Sequence, residues 1–231
     1  MSEIDITSEK RVAGVTRPEN SLRITEIFLS LQGESRSVGL PTTFIRLTGC
    51  PLRCKYCDTA YAFTGGEWMD IPAVLEKIKQ NKTRWVTVTG GEPLAQKMCL
   101  LLLTQLCDLG FEVSLETSGA ISVKDVDHRV IKVMDLKTPG SGEEHRNLLV
   151  NINYLTPKDQ CKFVICDEQD YNWAKNLIEA QNLTTKCEVL MSPSYGQMDS
   201  TQLADWILRD GLTVRFQIQL HKILWGDVAG R

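Results

Sequence analysis

The sequence predicts an α/β chain built as a partial, TIM-like barrel, with about six parallel strands inside and helices outside. Three observations carry that expectation. Short strand-forming runs alternate with stretches of helical period from residue 42 to residue 220. Residues able to do chemistry follow directly on the strands, at the end where such folds gather ligands. The strands are too few to close an eight-stranded barrel.

Taken in order, residues 1–20 are polar and aperiodic and include Pro18, so a mobile lead-in is expected there, with one domain over 21–231. "TTFIRLT" (42–48) reads as a strand ending at Gly49. "IPAVLEKIKQ" (71–80) reads as a helix, with Asp70 as its cap and Pro72 in the first turn. "WVTVT" (85–89) is a second strand, and "LAQKMCLLLLTQLCDL" (94–109) a helix closed by Gly110. Strands follow at "FEVSLET" (111–117), "VIKVMDL" (130–136) and "CKFVI" (161–165). The helix "DYNWAKNLIEAQ" (170–181), the strand "CEVL" (187–190), the helix "STQLADWILRD" (200–210) and the strand "LTVRFQIQL" (212–220) complete the series. Residues 137–158, rich in Gly, Pro and Asn, read as an excursion loop.

A chain of 231 residues, 42% apolar and 24% charged, has the size and composition of one globular domain with a full core. Its 26 basic and 29 acidic side chains leave a net charge of -3, which argues against broad nucleic-acid binding. The longest apolar run, "LLLL" at 100–103, is far below transmembrane length, and no N-terminal stretch joins a basic start to an apolar run. Eight cysteines, three of them clustered, then point to the cytoplasm and to metal binding.

"CPLRCKYC" places Cys50, Cys54 and Cys57 directly after a strand. Thiolates hold zinc or iron–sulfur clusters. A structural zinc site needs a fourth ligand at comparably close spacing. The other candidates are scattered: Cys99 and Cys107 fall in an apolar helix, Cys161, Cys166 and Cys187 on strands or their ends, and His128, His145 and His221 stand alone. A four-iron cluster on three cysteines would instead leave one iron open to an external ligand.

"TGGEP" (89–93) puts two glycines at the carboxyl end of the next strand, where backbone without Cβ can approach a ligand; the same residues also make an ordinary strand-to-helix turn. "ETSG" (116–119) ends the following strand with Glu116 and Ser118. In "TFIRLT", alternation sets Phe44, Arg46 and Thr48 on one face. Arg46 there can grip a carboxylate bidentately or close an internal ion pair. Near the end, Arg215, Gln217, Gln219 and His221 share a face, which suits a polar cavity or a solvated edge.

CxxxCxxC at 50–57 resembles the signature of the radical S-adenosylmethionine superfamily. The ordered set "SLQGES" (30–35), "FIRLTGC" (44–50), "YCDT" (56–59), "TGGEP", "ETSG" and "QLHKILWG" (219–226) is similar to the 7-carboxy-7-deazaguanine synthase (QueE) family, from residue 22 to the C-terminus. The resemblance implies a 4Fe-4S cluster on Cys50, Cys54 and Cys57, with S-adenosylmethionine on its open iron. It implies conversion of 6-carboxy-5,6,7,8-tetrahydropterin to 7-carboxy-7-deazaguanine with loss of ammonia and regeneration of the cofactor.

On the same resemblance, Leu31, Gln32, Gly33, Glu34, Arg46, Thr89 and His221 would meet the substrate, and Thr59 would ligate Mg2+. "LQGE" has the donor–acceptor mix of a pterin partner, though Glu34 alone also fits a polar turn. Tyr56, Asp58, Gly91, Glu92, Glu116 and Ser118 would meet the cofactor. So would Asp135, Leu136 and Lys137 of "DLK", and Ser192, Pro193, Ser194 and Tyr195 of "SPSY"; a solvated lysine and a proline turn are the plainer readings of these two segments. A flavodoxin or ferredoxin as electron donor and a homodimer are also implied, with neither nucleic acid nor membrane as partner. A glycyl-radical activating enzyme and a zinc-binding interaction module share the triad and stay open on the cysteines alone.

Overall fold

The computed structural model describes residues 20–226, 228 and 230; the lead-in expected over 1–20 lies outside these apart from Asn20. In chain order the elements are β1 (Ser21–Leu31), β2 (Pro41–Leu47), β3 (Glu67–Asp70), α1 (Ile71–Lys79), β4 (Trp85–Gly90), α2 (Cys99–Asp108), β5 (Glu112–Thr117) and β6 (Ile131–Asp135). They continue as β7 (Gln160–Ile165), α3 (Glu168–Gln181), α4 (Leu183–Lys186), β8 (Glu188–Pro193), α5 (Ser200–Asp210), β9 (Arg215–Phe216) and α6 (Leu220–Trp225). All the strands join one sheet in the order β3-β1-β2-β4-β5-β6-β7-β8-β9. From β2 to β9 neighbours run parallel, and β1 and β3 are added antiparallel at the β2 edge. Among the described residues β3 and β9 do not pair, so the barrel stays open, as the strand count predicts.

Two apolar seams hold the helices on the convex side. Ile45, Leu47, Val86, Val88 and Leu115 pack against Val74 and Ile78 of α1 and Leu102, Leu103 and Leu106 of α2. Met134, Phe163 and Ile165 pack against Tyr171 and Ala174 of α3 and Leu203 of α5. Each of the Val, Leu, Ile, Met and Phe side chains among them, fully buried, contributes about 1.5–3 kcal/mol. Asp70, Asp167 and Asp199 cap α1, α3 and α5 by accepting from the amides of Ala73, Asp170 and Gln202, each worth about 1 kcal/mol. The concave face is thereby released from packing duty and can carry polar groups.

Several elements differ from expectation. β1 escapes the sequence reading because its register with β2 shifts between Ile24 and Glu26, and the bulge breaks the alternation that marks a strand. β3, at four residues, is too short to show a period. α2 begins at Cys99 rather than at residue 94. Pro93–Ala95 form a separate 3-10 turn, and Gln96 leaves helical geometry so that its amide can bond the backbone of Arg23 and the carbonyl of Thr48. Thr48 lies beyond the end of β2, and its hydroxyl pairs with that of Thr25 instead of joining Phe44 and Arg46.

The strand expected over 212–220 shrinks to β9. Arg215 turns out to Glu188 at 2.6 Å, whereas Gln217 is buried and bonds the amide and carbonyl of Ser35 at 2.8 and 2.9 Å, so the four polar residues do not share a face. The loop at 137–158 is organised by side chains that replace missing backbone partners. Asn147 bonds both the amide and the carbonyl of Lys137, Asn151 donates to the carbonyls of Gly119 and Ile121, and Asp170 accepts from the amides of Gly140 and Cys166. The loop in turn braces the cysteine segment: the Ser141 carbonyl accepts from the Lys55 amide at 3.0 Å, and Glu143 from the Arg53 amide at 2.7 Å.

Candidate active site

The carboxyl ends of the parallel strands and the segments after them enclose a cavity of about 600 Å³, within the range of small-molecule sites. Its wall includes Leu31, Gln32, Gly33, Glu34, Arg46, Cys50, Cys54, Tyr56, Cys57, Asp58, Thr59, Thr89, Gly91, Glu116, Ser118, Asp135, Lys137, Ser192, Pro193, Ser194, Tyr195 and His221. Two residues expected at the cofactor do not line it. Glu92 is fully buried, and its carboxylate accepts from Thr117, Ser118 and the Leu94 amide, tying "GGEP" to "ETSG" from below. Leu136 is fully buried in the apolar seam of β6.

The cysteine segment is held from several sides. The Gly49 amide donates to Ala62, the Gly49 carbonyl accepts from the Glu92 amide, and Arg53 donates to the carbonyls of Cys50 and Leu52 while stacking on Phe63. "GGEP" runs so close beneath it that a Cβ on Gly91 would lie 2.3 Å from the Gly49 carbonyl oxygen and 2.7 Å from Cys50 Cβ. Only glycine permits that approach. Gly33 answers a similar demand, since a Cβ there would lie 2.2 Å from His221 Nδ1.

Burial pushes the Cys50 thiol up and the Cys54 thiol up to about 11, with Lys137 opposing. Ligation must therefore displace protons. The three cysteines are near enough to perturb one another, yet among the described residues no three His, Cys, Asp or Glu side chains converge as the ligands of one ion would. Three thiols on one cavity wall are the donor type of an iron–sulfur cluster. The cavity also contains buried polar atoms without partners: Tyr56 Oη, Asp135 Oδ1 and Ser192 Oγ. Orphaned buried groups of this kind cost about 1–3 kcal/mol each unless a ligand or water satisfies them. The donor set thus fits a cluster with a polar cofactor beside it. For Mg2+, Thr59 and Asp58 offer adjacent oxygens, with the Thr59 hydroxyl donating to Asp58 Oδ1 at 2.8 Å. Partial loss of water opposes the Asp58 charge, but Thr59, Lys222, Lys162 and His221 together hold its carboxyl below the usual value.

On the opposite wall Gln32 donates to Thr87 at 3.1 Å and to Glu116 at 3.3 Å, and accepts from the Glu34 amide at 3.2 Å. Its amide is committed to shaping the wall. Arg46 Nε pairs with Glu26 at 2.6 Å, and its guanidinium lies 5.8 Å from the centroids of both Phe28 and Tyr61. Glu116 accepts from Thr89 at 2.9 Å. Burial, and then the charge of Glu34, raise its pKa above the ordinary glutamate value.

A carboxyl raised in the folded state gives its full stability only below the unfolded pKa and loses it as pH climbs through the folded one. Glu116→Gln should therefore melt higher than wild type at about pH 7, and the gain should vanish by about pH 4. Thermal melts across that range test it; a gain independent of pH would refute the assignment.

Sequence reasoning missed Lys162, whose ammonium lies in the cavity. The available signal was a lysine alternating with Cys161, Phe163 and Ile165 in a strand that is otherwise apolar from Cys161 onward.

A profile of the Radical SAM superfamily matches residues 44–181. Over 214 residues the chain is 42% identical to the 7-carboxy-7-deazaguanine synthase of Chlorobaculum tepidum, covering 91% of this chain and 97% of that one. It is 38% identical over 219 residues to the synthase of the same name from Koribacter versatilis, covering 88% and 97%. The crystal structure of QueE from Escherichia coli superposes with a TM-score of 0.72 at 22% identity, over 87% of this chain and 95% of that one. Streptococcus suis SuiB bound to S-adenosylmethionine superposes with a TM-score of 0.53 at 15% identity, over 74% and 45%. Both structural likenesses bear on the fold alone. The sequence relatives reach further, and with the superfamily match they establish that the chain belongs to the 7-carboxy-7-deazaguanine synthase family of radical SAM enzymes.

Proposed function

We propose that this protein is the carbon–nitrogen lyase that converts 6-carboxy-5,6,7,8-tetrahydropterin to 7-carboxy-7-deazaguanine with loss of ammonia, a step toward queuosine and other 7-deazapurines. The observation that supports it most is one cavity holding both the cysteine triad and the Gln32, Glu34, Arg46 and His221 wall. When bound, the cluster and S-adenosylmethionine supply reductive carbon–sulfur cleavage and reversible hydrogen abstraction.

The chain's own residues do the rest. Cys50, Cys54 and Cys57 would anchor the cluster, and Gly91 lets its backbone pass close to Gly49 and Cys50. Tyr56, Asp135 and Ser192 offer their unpartnered polar atoms to the cofactor. Arg46 takes the substrate carboxylate, Glu34, Thr89 and His221 face the pterin ring, Asp58 and Glu116 face the cofactor, and Thr59 gives oxygen to Mg2+. Fixing the carboxylate at both a guanidinium and a metal removes rotational freedom from the substrate before it reacts. A flavodoxin or ferredoxin as reductant, a homodimer and a cytoplasmic setting, where the free cysteines stay reduced, complete the reading. Among the described residues no helix is long and apolar enough to cross a membrane.

The test is anaerobic reconstitution followed by turnover with the carboxypterin, read by mass spectrometry. A product lighter by one ammonia is expected, with about a tenfold fall when Mg2+ is withheld. No such product from protein carrying a full cluster would refute the proposal.

A further inference from the structure

Lys162 stands on β7 with Nζ 2.8 Å from Glu34 Oε2 and 3.5 Å from Asp135 Oδ2. Glu34 belongs to the segment after β1 and Asp135 ends β6; under the function proposed above the first faces the pterin and the second the cofactor. The side chains are largely enclosed, 12% exposed for Lys162, 13% for Glu34 and 19% for Asp135. An ammonium in such a place loses hydration that only close, well-placed carboxylates can replace. Burial works against its charge, but Glu34, Asp135 and Glu116 raise its pKa, so it stays protonated.

The arrangement also divides the oxygens of each carboxylate. Asp135 Oδ2 takes Lys162 and Lys137, the latter at 3.1 Å, while Oδ1 is buried without a partner. Glu34 Oε2 takes Lys162, and its other carboxylate oxygen makes no hydrogen bond among the described residues. One cation therefore reaches one oxygen of each carboxylate, with Lys137 sharing that of Asp135, and so fixes where both carboxylates lie.

We propose that Lys162 is a positioning residue of this active site, a single ammonium that sets the pterin-binding carboxylate of Glu34 and the cofactor-binding carboxylate of Asp135 together. The inference rests on the function proposed above and adds to it a shared support for the two half-sites. Its signature is two-sided. Changing either carboxylate should weaken one ligand; changing the lysine should weaken both.

The test measures two dissociation constants on the reconstituted holoenzyme: S-adenosylmethionine without pterin, and the carboxypterin without S-adenosylmethionine. Lys162→Met should raise both about tenfold. Glu34→Gln should raise only the pterin constant, and Asp135→Asn only that of S-adenosylmethionine. Lys162→Arg, which keeps the charge, should recover most of both. A residue that served the fold alone would lower the melting temperature without this pattern. If Lys162→Met does not fold, Lys162→Gln and Lys162→Arg carry the same comparison. Both constants within twofold of wild type, only one of them raised, or an arginine variant as impaired as the neutral one would each overturn the inference. Wild-type holoenzyme that binds S-adenosylmethionine but not the carboxypterin would instead overturn the function on which the inference rests.

Discussion

Cys54→Ala will yield a folded protein that holds no intact cluster and turns over at least about a thousandfold more slowly, a loss of some 4 kcal/mol or more in barrier terms. Cys54 is a partly exposed thiol on the cavity wall, and burial keeps it protonated when no metal is bound. Truncating it removes little packing, so the apo variant should melt within about 3 °C of apo wild type. The informative contrast is Cys161→Ala. Cys161 is fully buried in the seam of β6–β8, where a small hydrophobic side chain contributes to packing. That variant should lose about 1–2 kcal/mol of stability and keep its iron. Iron and sulfide per chain, read beside thermal melts, separate the two cases. A Cys54 variant with four irons and near-normal turnover would refute the ligand assignment, whatever its stability.

The difference between those cysteines was already visible in the sequence, because ligand spacing is local. Three thiols within eight residues announce themselves, as do the glycines of "TGGEP" whose absent Cβ atoms the structure shows to be required. Most of the parallel strands were legible for a related reason: they are short runs rich in β-branched and apolar residues, set off by helices or by turn-forming segments. What stayed hidden depends on partners distant in sequence. β1 is bulged and recognisable only through β2. Gln217 is buried because it substitutes for a strand partner of Ser35, far away in the chain. Gln96 delays the start of α2 to bond Arg23. Glu92 looks like a ligand residue beside two glycines, yet it has enough internal donors to be consumed by them. Lys162 needed both Glu34 and Asp135 in view before its burial made sense.

Arg46→Met is expected to lower kcat/KM for the carboxypterin by about 10²–10³, or roughly 3–4 kcal/mol. The structure sharpens the two uses that the sequence leaves open for this residue. Arg46 does close an internal ion pair, with Glu26 at 2.6 Å, and Glu26 also accepts from the Tyr61 hydroxyl at 2.8 Å. That pair involves Nε alone; among the described residues no further hydrogen bond occupies the guanidinium. The rings of Phe28 and Tyr61 flank it, so the ion pair orients a fork whose other donors remain for the cavity.

If the pair were the whole role, Glu26→Gln and Arg46→Met would cost the same, and a partly exposed pair of this kind is worth only about 1 kcal/mol. The expectation here is unequal: less than about a tenfold effect for Glu26→Gln and a far larger one for Arg46→Met. Arg46→Lys should recover only part of the loss, since an ammonium cannot make two parallel bonds to one carboxylate. A tetrahydropterin lacking the 6-carboxylate supplies the last control. Its affinity should be nearly the same for wild type and Arg46→Met, because the group that Arg46 grips is gone. If the variant weakens both pterins equally, Arg46 serves the cavity wall and the carboxylate must be held elsewhere.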